Sequence, residues 1–69
     1  MTDHQSRILS AFSDSRPLRV GEVQARLART ARVIYPRDSL RVRLGLLAKA
    51  GVIAAERIDR ETIWRRAEA

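Results

Sequence analysis

The chain contains no cysteine. Disulfides, thiolate chemistry and cysteine-bound zinc are therefore excluded. One histidine, His4, cannot make a metal site without further ligands. Glycine and proline number only three and two, and no glycine-rich phosphate loop, internal repeat, linker or low-complexity segment is present. No nucleophile–base pair or cluster of carboxylates occurs, since Asp59 and Glu61 are near each other only because they share a turn. These absences describe a chain that is not an enzyme and needs no cofactor or metal. No apolar run approaches the ~18 residues of a membrane helix. The opening Met1-Thr-Asp-His-Gln5 lacks the basic and apolar regions of a signal peptide, so the expected location is the cytoplasm, without membrane contact. Aromatic residues make up only 4% of the chain, which draws attention to Trp64 and Tyr35. A lone tryptophan beside two arginines can stack on a base, but on an inner strand position it more commonly closes the core, here against helix one. Tyr35 reads as core or rim.

What is present is positive charge and clean periodicity. Fourteen basic residues face eight acidic ones, for a net charge of +6, and every basic residue except Lys49 is arginine. A GC-rich genome also favours Arg over Lys, but the sign of the charge still points to a polyanionic partner. With 69 residues there is room for a single domain, residues 1–69, which buries only about 60% of its unfolded surface.

Thr2-Asp-His-Gln5 has the spacing of a capping box, and Ile8, Leu9 and Phe12 share a face, so helix one is expected over roughly 3–13. Arg16-Pro-Leu-Arg-Val20 is an extended connector with Leu18 and Val20 inward. Gly21 then stands as an N-cap, and Glu22 lies in the first turn, where the helix dipole favours a negative charge. Helix two is expected over roughly 22–32, with Val23, Leu27 and Ala31 as its buried stripe. Val33-Ile-Tyr-Pro36 breaks the pattern, because proline disfavours helix at Tyr35, and reads as a buried turn plugging the core.

Helix three begins with Asp38 or Ser39 as cap and runs to Ala50. Leu40, Leu44 and Leu47 fall at i, i+4 and i+7 on one face, and Gly51 ends the helix in the left-handed conformation. Gly45 inside this helix costs about 1 kcal/mol relative to Ala, which permits close packing or close approach of a partner. Val52–Ile58 and Glu61–Arg66 then form a hairpin around Asp59-Arg60.

This order of helix, short strand, helix, turn, helix and hairpin resembles the winged helix-turn-helix superfamily, as in small bacterial regulators of the MarR, ArsR and PadR kinds. The resemblance covers about residues 4–66. It is sharpest in Leu40-x3-Leu44-x2-Leu47-x3-Gly51-Val52-Ile53, similar to a recognition helix leading into the first wing strand. Glu56–Arg65 is similar to the wing, and Pro17–Val23 to the start of helix two. One departure is the stretch between Leu27 and Leu40, longer than the usual tight turn. The implied fold is α+β, with three helices and a C-terminal two-stranded wing.

The implied function is sequence-specific binding of double-stranded DNA by a small transcription regulator, with helix three in the major groove and the wing on the backbone or minor groove. Arg41 and Arg43 are then the base readers, since Arg bonds bidentately to guanine. Arg37 and Ser39, at the start of the same helix, reach a base or a phosphate. Arg57 and Arg60 flank the wing tip, and Arg26, Arg29 and Arg32 on helix two serve as phosphate clamps. The plainer reading of each is a solvated, charged surface. One small module binds DNA weakly, so a homodimer on a repeated site is a natural form. The alternative is a winged-helix module docking on a larger protein or nucleoprotein complex, its basic faces against acidic surfaces, with Val42 and Leu46 as the only apolar anchors. RNA binding by shape and phosphate contacts is a third and weaker reading.

Overall fold

Three amphipathic segments and a hairpin must share one apolar core, and the way they do so sets the surface left for a partner. The computed structural model describes residues 3–14 and 16–67. Helix α1 spans Asp3–Leu9 and tightens into a 3₁₀ turn at Ser10–Phe12, so the single helix expected over 3–13 ends in the narrower winding common at helix termini. Ile8, Ala11 and Phe12 are buried along it. The capping role expected for Thr2 lies outside the described residues.

Strand β1, Leu18–Arg19, leads directly into helix α2, Val20–Thr30. The helix thus starts two residues before its expected beginning, and Gly21 is not its N-cap. Arg19 occupies that place with extended backbone, and its N–H donates to the Glu22 carboxylate at 3.0 Å. Half of the capping-box exchange is therefore made by Glu22 reaching back, a role any residue type at position 19 can accept. Val23 and Leu27 are fully buried and Ala31 half-buried, which follows the expected stripe. At its end, Arg32 takes φ +54°, the left-handed conformation more often given to Gly.

The connection 31–36 is buried only in part. Tyr35 is 5% exposed, whereas Ile34 is 79% exposed, so the expected core plug is a single residue with Val33 packed beside it. Helix α3 spans Arg37–Lys49, one residue ahead of the expected Asp38 cap. Pro36 holds extended backbone and its carbonyl accepts the Leu40 N–H at 2.9 Å, closing the first turn without a side-chain cap. Leu40, Leu44 and Leu47 are 0–1% exposed. The far end is a Schellman motif: Val52 N–H to the Leu47 carbonyl at 3.1 Å and Gly51 N–H to that of Ala48 at 3.0 Å, with Gly51 at φ +81°.

Strands β2, Ile53–Ile58, and β3, Glu61–Arg66, form the hairpin. Its two-residue turn places Asp59 at φ +48° and Arg60 at φ +68°, the paired left-handed geometry that matches the twist of the strands. The expectation of a two-stranded wing is corrected here. The antiparallel sheet has three strands in the order β1-β3-β2, with Leu18 opposite Trp64 and Arg19 opposite Ile63. The third strand pairs an otherwise open edge of β3 and ties the wing to the start of α2. The resulting α+β arrangement of three helices and a three-stranded sheet is compatible with a winged helix-turn-helix topology. Among the described residues, no helix is long and apolar enough to cross a membrane.

Candidate nucleic-acid interface

Paired residues on neighbouring strands share a face of the sheet. Leu18, Trp64 and Ala55 form one such row, and Arg57 with Thr62 forms the next on the same face. Leu18 and Trp64 are buried, so this face turns toward the helices. Arg57 therefore stands where a core residue would stand if the core extended further along the wing. Beyond the core's edge, the face opens into a groove of about 780 Å³. Its lining comes from the start of α2, the first half of α3 and the outer part of the hairpin, with Trp64 in its wall.

Five arginines line this groove: Arg19, Arg37, Arg41, Arg57 and Arg60. Two glutamates accompany them, and both are engaged by one arginine. The Arg19 guanidinium donates to the Glu61 carboxylate and lies 3.8 Å from that of Glu22. The Glu61 contact raises the already high pKa of Arg19. Arg37, Arg57 and Arg60 have no carboxylate within ion-pair distance among the described residues, and Arg41 has only Asp38 at 3.9 Å. The groove thus carries five guanidinium groups against two carboxylates, and the positive end of the α2 dipole adds to that excess.

Gly21 has a part in this arrangement. A Cβ there would come within 3.3 Å of an Arg37 terminal nitrogen, so the missing side chain lets the Arg37 guanidinium lie across the start of α2. Its Nε also points to the Gln24 amide oxygen, at 3.4 Å.

Four of the nine candidate residues, Arg37, Arg41, Arg57 and Arg60, are brought together in this groove. The other five lie elsewhere. Arg41 and Arg43 are about 200° apart around the helix axis, so they flank the leucine stripe on opposite sides. Arg43 is half-buried, with its guanidinium carbon 5.8 Å from the centre of the Tyr35 ring. Tyr35 is in turn tied to helix α1 by a 2.9 Å contact between its hydroxyl and His4 Nδ1, and its carbonyl accepts from Gln24 Nε2 at 2.7 Å. Ser39 lies on this same flank of α3.

Arg26 is committed to contacts within the fold. It donates to the Ala11 carbonyl at 3.1 Å and to the Asp14 carboxylate at 3.3 Å, joining α2 to the end of the 3₁₀ turn. Partial desolvation pushes the Asp14 pKa up, but the Arg26 hydrogen bond and charge, with help from Arg16, leave it below the ordinary value. Arg29 near the end of α2 and Arg32 just past it are exposed, about 10 Å or more along the axis from the groove.

Arg19 and Gly21 belong to the groove but not to the candidates drawn from the sequence. No local signal marks Arg19, because its place depends on β1 pairing with a strand more than forty residues away. Arg57 and Arg60 were legible from their place on either side of the hairpin turn. No family model matches the chain, and no curated protein sequence matches it.

Proposed function

We propose that this protein is a winged-helix DNA-binding protein, a small transcription regulator that holds double-stranded DNA between α3 and the hairpin and acts in the cytoplasm. The observation that carries this reading is the convergence of Arg37, Arg41, Arg57 and Arg60, from two separate elements, on one groove where, among the described residues, only Arg41 has a carboxylate within ion-pair distance, Asp38 at 3.9 Å. A duplex offers what they lack, a row of phosphates beside base edges that accept bidentate hydrogen bonds. In this reading α3 enters the major groove, and Arg57 and Arg60 rest on the backbone or in the minor groove. A dimer on a repeated site supplies the affinity that one small module does not.

Salt dependence tests the reading. Neutralising four to five phosphates gives a slope of log K against log salt of roughly −4 to −5, from about −0.9 per contact. Absence of duplex binding at low salt would sink it.

One observation favours a second reading, docking on a larger protein. Val42 and Leu46 are 65% and 57% exposed on α3, where apolar anchors for a protein partner would be placed. Retention of a protein partner in high salt, with no affinity for duplex, distinguishes this case.

A further inference from the structure

The outward arc of α3 is a part of the molecule whose composition the fold does not explain. Measured around the axis at 100° per residue, Arg41, Gly45, Lys49, Val42 and Leu46 follow one another across it. Asp38 lies on the same arc at the first turn, with its side chain fully exposed. Val42 and Leu46 cover nothing in the core. Gly45 is exposed, and a Cβ at this position would meet nothing within 4 Å. Internal packing therefore gives no reason for a residue that weakens the helix.

Resting on the DNA reading above, we infer that this arc recognises thymine: Val42 and Leu46 pack against thymine C5-methyl groups in the major groove, and bare Gly45 lets the helix axis approach the base edges closely. Charge and size together select this occupant. Arg41 and Lys49 lie beyond the apolar pair at its two ends along the axis and on one side of it around the axis, so the complementary surface is anionic yet carries isolated methyl groups, a combination the major groove presents at A·T pairs. A second copy of this chain would bring its own Arg41 and Lys49 against these. Two exposed apolar side chains also fall well short of the ~800 Å² per partner of a stable protein interface. Val42 and Leu46 are about 6 Å apart along the axis, close to two base steps of about 3.4 Å, so the two thymines lie within one or two steps of each other.

The test begins with the preferred duplex obtained by selection from random sequence. That duplex is remade with deoxyuridine for thymine, which removes the C5-methyl and nothing else. Each contacted methyl lost weakens binding about fourfold, the equivalent of the ~0.8 kcal/mol of one buried methylene. Val42→Ala and Leu46→Ala, folded as judged by thermal melting, bind the thymine and uracil duplexes equally at the position each side chain reads. Gly45→Ala raises Tm by about 4–8 °C while weakening binding to the preferred site. A preferred site without thymine, duplex binding indifferent to uracil at every position, or alanine variants that still discriminate would overturn the methyl assignment and leave the DNA reading intact. No duplex binding at all would overturn both.

Discussion

The two flanks of α3 carry the same chemistry and put it to different use. On one side Arg37 and Arg41 open onto a groove shared with the hairpin. On the other, Arg43 folds down beside Tyr35, itself held by His4 and Gln24. Two residues of separation turn the guanidinium from a solvent-facing charge into part of the packing between α1, α2 and α3. An arginine's identity therefore says little about its role. Its angular position against the leucine stripe, and what lies opposite, decide whether its charge is left free.

The strongest way to break the comparison is to remove the stripe that separates the flanks. Leu44 is fully buried between them, and Leu44→Ala is expected to destabilise the domain by about 2–5 kcal/mol. A thermal melt of this variant matching wild type would overturn the assignment of Leu44 to the core.

Next in size is the contrast itself. Arg41→Ala is expected to cost about 1–3 kcal/mol of binding to the preferred duplex with stability within about 0.5 kcal/mol of wild type. Arg43→Ala is expected to do the reverse, losing about 1 kcal/mol of folding stability as the contact with Tyr35 and its stem packing disappear, with little change in binding. Denaturant unfolding and duplex titration of both variants check the pair, and equal binding losses would erase the distinction between the flanks.

A third measurement sharpens the groove side. Arg60 sits at φ +68° in the hairpin turn, where a side chain is strained by about 1 kcal/mol and Gly is not. Arg60→Gly should raise folding stability by up to about 1 kcal/mol, less the entropy Gly returns to the unfolded chain. It should also weaken all duplexes alike and reduce the salt slope by about one. Unchanged duplex affinity would remove Arg60 from the interface.

The smallest expected effect concerns an arginine that faces neither flank. The Arg26 contact lowers the Asp14 pKa below its ordinary 3.8 despite the opposing desolvation. The folded state therefore binds its proton less readily than the unfolded chain. The stabilisation is complete above the unfolded pKa and is lost as pH falls through the folded value. Asp14→Asn should be less stable than wild type near neutrality, with the gap narrowing in acid below about pH 4. A gap independent of pH would mean that charge is not what Asp14 contributes.

Much of the fold was open to reading along the chain. The leucine spacing of α3, the glycine that ends it and the two runs around Asp59-Arg60 are local signals, and each element stands within a residue or two of its expected bounds. The starts of α2 and α3 were less legible, because both are capped through backbone groups at Arg19 and Pro36 and not by the side chains that mark a cap in sequence. Strand β1 could not declare itself as part of the sheet, since two residues are too few to show a period. The wing residues of the candidate site followed from the hairpin, while Arg41 and Arg43 looked alike until the helix had a neighbour on each side.

Sequence alone determined the composition of the core, the order of its elements and the excess of arginine, because periodicity and charge are properties of neighbouring residues. Tertiary structure decided which arginines are free. Whether a guanidinium meets a carboxylate, an aromatic ring or open solvent depends on elements that are distant in the chain and adjacent only after packing. Arg19 finds Glu61, Arg26 finds Asp14 and Arg43 finds Tyr35, whereas Arg37, Arg57 and Arg60 meet in the groove with no such partner among the described residues.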